Sequence, residues 1–179
     1  MNTQDETTRA GRPVLKALSL HPQWAWAVMH AGKNAENRSR PWNHRGPLLI
    51  HATQHMASEA EKRAVGEVAA RAGYPIIWPE VLPSGRIVGA VYMLGCDDGG
   101  EPSAYYDGEP SPFYPWAEPG CHHYLFRPHS AFLLPPLLWG DRQGWRGRQG
   151  PFNVPWFDLP PAVRAALIAG GLAPEGARP

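Results

Sequence analysis

The sequence has few cysteines and no apolar run of membrane-spanning length. Its two cysteines, Cys96 and Cys121, are far apart and form no Cys-x-x-Cys motif, so neither a zinc knuckle nor a disulfide framework is predicted. No stretch of about eighteen apolar residues occurs, and the polar N-terminus lacks the apolar core of a signal peptide. We therefore expect a cytoplasmic protein in a reducing compartment, with no membrane partner.

Common catalytic and metal-binding fingerprints are also missing. The sequence contains no GxSxG, P-loop or GxGxxG motif. His51 and His55 are four residues apart, but His51 ends an apolar strand-like run, so the two-histidine helical metal geometry is not favoured. The neighbouring His122 and His123 alternate faces of a strand and cannot both reach one ion. The sequence predicts no metal site and no cofactor.

The net charge of +1 excludes any argument for general polyanion affinity from composition. The local distribution of charge is more informative. The segment from Lys33 to Arg45 contains four cationic side chains and one acidic side chain, Glu36. A second basic cluster comprises Arg142, Arg146 and Arg148, and one Pro/Gly-rich loop, residues 97–120, collects Asp97, Asp98, Glu101, Asp107, Glu109 and Glu118. A basic surface with an acidic flap and two scattered, solvated faces both fit this pattern.

Length and composition predict one domain with many turns. The chain has 179 residues, 43% of them hydrophobic, with 21 prolines and 19 glycines, which favours short strands over a helical bundle. Apolar runs predict strands at Leu15–Leu20, 34–38, Gly46–Ala52, Arg86–Cys96, His122–Phe126, 131–134 and 144–154, with helices at 22–31, 58–72 and 160–169. This order predicts an α+β fold, a small mixed β-barrel with two or three flanking helices.

The domain boundaries follow from the same pattern. Residues 1–13 are predicted to be a flexible leader, 14–158 the folded domain, and 159–179 a short helix with a loose C-terminal tail.

The segment from Lys16 to Thr53 is where function is expected. It places charged groups between two strands that must be buried, which costs folding energy unless those groups are paired or functional. Strand alternation puts Glu36 and Arg38 on one side and Lys33 on the other, unless a turn or bulge at Gly32 intervenes.

Lys33 and Glu36 have both functional and plain structural interpretations. Lys33 suits phosphate binding or, if desolvated, a base or nucleophile role, and otherwise it is a solvated lysine at a turn. Glu36 suits a proton acceptor or a hydrogen-bond acceptor for a base amino group, and otherwise it is an ion-pair partner of Arg38 or Lys33.

The arginines and tryptophans of this segment suit a nucleic acid. Guanidinium groups bind phosphate oxygens in pairs, which makes Arg38, Arg40 and Arg45 candidates, although Arg40 is equally compatible with a solvated surface. Trp26 and Trp42 are candidates for base stacking. Trp24 lies on the apolar helical face with Ala27, Val28 and Ala31 and is assigned to the core.

These residues resemble the ASCH domain family of the PUA-like superfamily. The family pattern is a strand, a helix with an aromatic-rich QPW-like start, G-x-K-x-x-E-x-R, and then RG before an apolar strand. Residues 17–52, ALSLHPQWAWAVMHAGKNAENRSRPWNHRGPLLIHA, match it with Gly32 and Lys33 adjacent, followed by Glu36, Arg38 and Arg45-Gly46. SGRIVGAVYMLGC at 84–96 is similar to a later strand, and residues 139–155 fit the closing strand less specifically.

The resemblance implies a five- or six-stranded PUA-like barrel with a cleft beside residues 33–38. ASCH proteins are generally inferred to bind RNA, some are reported as ribonucleases, and one branch deacetylates acetylcytidine. That branch uses a Lys, a Thr three residues later and a distant Glu. Lys33 matches the Lys, but Glu36 stands where the Thr would be, and no residue is identified for the distant Glu.

The leading hypothesis is binding of RNA, single-stranded nucleic acid or a modified nucleoside. The predicted binding residues are Lys33, Glu36, Arg38, Arg40, Arg45, Trp26 and Trp42. The alternative is an enzyme, a ribonuclease or nucleoside amidohydrolase that uses Lys33 and Glu36. A third hypothesis is a protein-interaction module that binds through the acidic loop 97–120, with no specific protein partner predicted.

Overall fold

The computed structural model describes residues 13–97, 105–106, 109–110, 113, 115–134 and 150–177. Half of the acidic loop, the cluster of Arg142, Arg146 and Arg148, and residues 1–12 of the predicted leader lie outside these ranges. The strands are β1 (Val14–Leu20), β2 (Ala35–Arg38), β3 (Gly46–Ala52), β4 (Arg86–Cys96), β5 (Tyr105–Tyr106), β6 (Glu109–Pro110), β7 (His122–Phe126), β8 (Phe132–Leu133) and β9 (Pro151–Pro155). The helices are α1 (Pro22–His30), α2 (Glu59–Arg71) and α3 (Pro161–Ala169), with a 3₁₀ turn at Trp156–Asp158.

One seven-stranded mixed sheet organises the fold. Its order is β2-β7-β4-β3-β1-β9, with β8 pairing on β4, while β5 and β6 form a separate two-stranded ladder. Strands β1 and β3 are parallel, from Lys16 opposite Leu48 to Leu20 opposite Ala52. The α+β class is confirmed. In the part of the chain that the structure describes, the edge strands β2 and β9 do not pair, so the sheet is open rather than closed into a barrel.

Both faces of this sheet are covered by apolar groups. Leu49 of β3 packs with α3, whereas Leu48 and Ile50 pack on the other face with α1. This explains the consecutive apolar residues of β3, because a strand buried on both faces shows no polar alternation. Beyond α3, Leu172 is 6% exposed and joins the same core cluster as Leu49.

The helix termini follow local sequence signals. Pro22 begins α1, where its missing N–H costs nothing. Gly32 adopts the left-handed conformation (φ +64°) just beyond it. Ser58 and Glu61 form a capping box at the start of α2, with the Glu61 carboxylate accepting from the Ser58 backbone N–H.

Gly89 marks the crossing of α1 over β4. A Cβ added there would lie 2.2 Å from Met29 Sδ and 2.6 Å from the Phe132 carbonyl oxygen. The β3–β4 register also shifts beside it, between Ile50 and His51. Gly89 therefore lies both at a close contact with α1 and beside a bulge in the β3–β4 ladder.

Candidate functional site

A polar, aromatic-walled cleft of about 1070 Å³ opens where β1 ends, α1 begins and β2 runs along the sheet edge. Its lining comes from separate chain segments. These include the end of β1, the start of α1, β2 with the loop that follows it, β7, and the start of β9. The lining residues are Ser19, Leu20, His21, Trp24, Glu36, Asn37, Arg38, Ser39, Arg40, Pro41, Trp42, Thr53, Tyr124, Gly150 and Pro151.

Glu36 and Arg38 form the charged floor of this cleft. Both side chains project from the same side of β2, as the strand alternation predicts. Arg38 Nε lies 3.2 Å from Glu36 Oε1, an ion pair whose alignment does not make a hydrogen bond. The same guanidinium donates from Nη2 to the Ser19 carbonyl oxygen at 2.8 Å. The Arg38 side chain is thereby held at the carboxyl end of β1.

Lys33 lies beneath Glu36 rather than on the cleft surface. Its Nζ is 3.3 Å from Glu36 Oε2, and it also donates to the Ala35 carbonyl oxygen. The indoles of Trp24 and Trp116 flank the ammonium, with ring centroids at 5.0 Å and 5.6 Å. Only 1% of the Lys33 side chain is exposed. Burial lowers the pKa of Lys33, and the Glu36 carboxylate opposes part of that shift.

The turn at Gly32 explains how Lys33 and Glu36 meet. The Lys33 backbone N–H donates to the Ala27 carbonyl oxygen at 3.1 Å, so Lys33 still belongs to the end of α1. Strand alternation therefore does not apply to it, and the conflict in the sequence pattern is resolved.

Aromatic side chains form the walls. Trp42 contacts Tyr124 at a centroid separation of 5.6 Å and stacks on His44 at 4.7 Å. The Tyr124 hydroxyl donates to the Arg40 carbonyl oxygen at 3.0 Å, which fixes the loop that carries Trp42. Burial raises the pKa of the Tyr124 hydroxyl above its ordinary value.

Asn37 links β2 to the segment before β7. Its Nδ2 donates to the Trp116 carbonyl oxygen at 3.1 Å, and its Oδ1 accepts from the Glu118 backbone N–H at 3.0 Å. His123 continues this anchoring, with Nδ1 2.6 Å from Asp97 Oδ2. The end of the acidic loop is thus fixed beside the cleft.

Comparison with known proteins decides the family. The ASCH domain family matches residues 18–125, more than half of the chain. The chain belongs to the ASCH domain family. The match runs from β1 through β7 and includes the Lys33, Glu36 and Arg38 positions on which the sequence resemblance rested. The expected PUA-like α+β fold is confirmed.

Two relatives in mammals share part of this ASCH domain. The chain is 32% identical over 100 residues to Activating signal cointegrator 1 of Homo sapiens and, equally, to that of Mus musculus. The match covers 54% of this chain but only 17% of either relative, so the similarity concerns one part of a longer protein. Among the residues that the structure describes, no helix is long and apolar enough to cross a membrane.

The ASCH structure brings together four of the predicted site residues at the cleft surface: Glu36, Arg38, Arg40 and Trp42. Trp26 and Arg45 lie elsewhere, which corrects the prediction that all of them share one cleft. Trp26 stacks on His30 and lines a separate apolar pocket of about 330 Å³ on another side of α1. Arg45 donates to the Leu94 carbonyl oxygen and packs against Gly95.

Sequence reasoning did not find Trp24 and Tyr124 as cleft residues. Trp24 has the helical spacing of a core residue and does pack on the core, but its ring also reaches the cleft at the start of α1. Tyr124 is distant in sequence, and only the antiparallel pairing of β2 with β7, which sets Glu36 opposite Tyr124, reveals it.

Proposed function

We propose that this ASCH domain binds an unpaired nucleotide of RNA, or a modified nucleotide, in the cleft. The observation that carries the proposal is the Glu36–Arg38 pair at the floor of a cleft walled by Trp24, Trp42 and Tyr124. Small-molecule sites are typically about 300–1,000 Å³ with a few fixed polar groups. The size and lining of this cleft suit one nucleotide.

Glu36 is the base-reading group in this proposal. Lys33 holds one of its oxygens and Arg38 lies beside the other, so the carboxylate is fixed in place. A carboxylate has about four lone-pair sites, so acceptor capacity remains for an N–H on the edge of a base. Cytosine N4 and similar exocyclic amines are the donors that carboxylates accept from.

The aromatic walls and the exposed Arg40 supply the remaining contacts. A base on Trp42 or Trp24 would gain about 1–3 kcal/mol from stacking. Arg40 lies at the cleft surface with its side chain exposed, where a guanidinium suits the phosphate. Because the base must stand out of a helix to enter, single strands, loops and flipped nucleotides are favoured over a regular duplex.

The buried position of Lys33 favours binding over the amidohydrolase alternative. Its ammonium contacts Glu36 and the Ala35 carbonyl oxygen and is enclosed by Trp24 and Trp116, so a substrate carbonyl in the cleft does not meet it. An enzyme would need Glu36 as its acid–base group at the surface. Product analysis after incubation with RNA and with acetylcytidine distinguishes the two, since a binding domain leaves both intact.

Trp42 and Trp26 offer a matched test, because both are half-buried and only Trp42 lines the cleft. We expect Trp42→Ala to weaken binding of a single-stranded RNA at least about fivefold, as loss of about 1 kcal/mol of stacking requires. Trp26→Ala should bind as the wild type does. Filter binding at low salt measures both, with a duplex of the same sequence as a further control.

Two outcomes would contradict the proposal. One is an equal loss of RNA affinity in the two tryptophan variants. The other is a wild-type protein that binds none of a panel of single-stranded RNA, single-stranded DNA and modified nucleotides.

A further inference from the structure

Three donor side chains meet beside the cleft, at the start of α1 and α2. The imidazoles of His21 and His55 are stacked, with centroids 4.2 Å apart and planes at 23°. Glu61 Oε1 lies 2.9 Å from His55 Nε2 and 4.0 Å from His21 Nδ1. One donor atom from each residue lies within 4.8 Å of the other two.

Topology explains the meeting of residues so distant in sequence. β1 and β3 are parallel neighbours, so their carboxyl ends, Leu20 and Ala52, lie side by side. His21 follows Leu20 directly, and His55 lies in the link between β3 and α2. The Thr53 N–H donates to the Leu20 carbonyl oxygen at 2.8 Å and holds the two links together.

Glu61 is oriented by contacts that leave one oxygen facing the imidazoles. Its Oε2 accepts from the Ser58 N–H and hydroxyl, both at 2.8 Å. The buried Gln23 amide adds a 3.4 Å contact from Nε2 to Oε1. Supporting hydrogen bonds of this kind fix the orientation of carboxylate ligands in metal sites.

We propose that His21, His55 and Glu61 form a binding site for a divalent transition-metal cation of the Zn²⁺ class. Two imidazoles and a carboxylate are a donor set that Zn²⁺ takes in sites with an open fourth position. Imidazole donors favour such cations over Mg²⁺ and Ca²⁺, which prefer oxygen ligands.

Small side-chain movements complete this geometry. Tetrahedral Zn²⁺ with bonds of about 2.0–2.1 Å requires donor atoms about 3.3 Å apart. His21 and His55 are exposed and Glu61 is partly exposed, which leaves the imidazoles room to rotate toward this spacing. The positive ends of α1 and α2 oppose a cation here, and the Glu61 carboxylate offsets that repulsion.

The proposed metal site adjoins the cleft but uses none of the residues proposed to contact the nucleotide. His21 belongs both to the donor cluster and to the cleft lining. The metal site itself is independent of the proposed function, because its test uses the cation alone.

The test is a calorimetric titration of the full, untagged chain with Zn²⁺. We expect saturable binding with one ion per chain at this site. His55→Asn and Glu61→Gln should each lower the affinity at least tenfold. Glu61→Gln is the sharper variant, because the glutamine amide oxygen preserves the capping box, while an NH2 group, which cannot ligate a cation, replaces the oxygen that faces the imidazoles. Circular dichroism confirms that each variant is folded.

Matched controls come from the same chain. Glu59→Gln removes an exposed carboxylate from the same turn of α2, where it pairs with Lys62. His129→Asn removes an exposed histidine outside the cluster, at a left-handed position (φ 56°) that asparagine tolerates. Both controls should keep wild-type affinity.

A second readout is thermal. Zn²⁺ should raise the melting temperature of the wild type and the controls but not that of Glu61→Gln, because a ligand that binds only the folded state stabilises it. The proposal is overturned if the wild type shows no saturable Zn²⁺ binding. It is equally overturned if His55→Asn and Glu61→Gln bind Zn²⁺ as the wild type does, or if the controls lose affinity to the same extent.

Discussion

At the scale of single residues, the cleft depends on an ammonium that is buried away from solvent. Lys33 is 3% exposed, and its charge is balanced by Glu36, the carboxylate proposed to read the ligand. A buried ion pair adds little net stability over an apolar pair, but removing one partner leaves an uncompensated charge. Glu36 is therefore the structural counter-ion of Lys33, in addition to its proposed role as a ligand contact.

Glu36→Ala is expected to destabilise the fold by about 3 kcal/mol, the lower end of the range for a broken buried pair. The cost of the uncompensated charge cannot exceed about 5 kcal/mol, since Lys33 can instead deprotonate at neutral pH from its ordinary pKa of 10.5. Lys33→Met, which removes the charge and keeps the volume, should be close to neutral, because Glu36 lines the cleft and keeps its ion pair with Arg38. Urea unfolding measures both, and a Lys33→Met variant as unstable as Glu36→Ala would contradict this account.

The lowered pKa of Lys33 predicts that stability rises with pH. The unfolded chain releases this proton near the ordinary value of 10.5, whereas the folded chain releases it at lower pH. Between those values the unfolded state binds more protons, so the free energy of unfolding increases with pH. Below both or above both, the contribution is constant.

Unfolding titrations from about pH 7 to about pH 10 on wild type and Lys33→Met isolate this effect, because other groups titrate in both proteins. The wild type should gain stability relative to the variant as pH rises. Parallel pH profiles would show that Lys33 keeps its ordinary pKa.

Residue roles were predictable where spacing alone determined them. Glu36 and Arg38 share a face because β2 alternates, and this followed from the sequence. The positions of Trp26 and Arg45 relative to the cleft could not be predicted. A helical pattern predicts which residues share a face with Trp26 but not which tertiary neighbour that face meets, and Arg45 lies in a loop with no regular pattern. His21, His55 and Glu61 were missed because only the parallel pairing of β1 and β3 juxtaposes them.

At the scale of secondary-structure elements, the position of α1 depends on Gly89. Met29 of α1 and the Phe132 carbonyl oxygen occupy the space that a side chain at this point of β4 would need. Backbone cannot move aside as a flexible side chain can. α1 carries Trp24 and leads into Lys33, so this close contact also sets the back of the cleft.

Gly89→Ala is expected to cost about 3 kcal/mol, the upper part of the range for overpacking a core. Gly66→Ala is the matched control, because that glycine lies within α2 and its Cβ would meet nothing closer than Trp78 Nε1 at 4.0 Å. The control should stabilise the protein by up to about 1 kcal/mol through helix propensity. Thermal unfolding of the two variants shows whether Gly89→Ala lowers the stability and Gly66→Ala raises it. A Gly89→Ala variant as stable as the wild type would contradict the packing argument.

Most elements were predictable, because their signals are local. The apolar runs of β3 and β4 and the capping box of α2 specify their own ends. The strand order was not predictable, since sheet pairing joins segments by contacts that no short pattern records. The open sheet edge between β2 and β9 is a consequence of that order.

At the scale of the whole molecule, the small net charge limits how the protein meets a polyanion. With a total of +1, long-range attraction to nucleic acid is weak, so the proposed nucleotide binding relies on short-range contacts in the cleft. Among the residues that the structure describes, Arg38 and Arg40 are the arginines that line the cleft. A shallow dependence of binding on salt follows from so few phosphate contacts.

The logarithm of the RNA-binding constant should fall with the logarithm of salt concentration with a slope of about −1 to −2, since each phosphate contact on a single strand contributes about −0.7. Arg40→Ala should reduce the magnitude of the slope by about 0.7, the contribution of one contact. Arg45→Ala, which removes an exposed arginine outside the cleft, should leave the slope unchanged. A slope of about −5 or steeper would place the main phosphate contacts outside the cleft.

The indoles in the cleft wall have an optical consequence. Trp42 and Trp24 line the space where a nucleobase would stack, and Trp116 lies just beneath it, beside Lys33. A stacked base quenches the emission of the indole it covers, so occupancy changes the protein's own ultraviolet fluorescence. Ligand binding can therefore be followed without a dye on either partner. Quenching that occurs in the wild type but not in Trp42→Ala would show that the base stacks on Trp42.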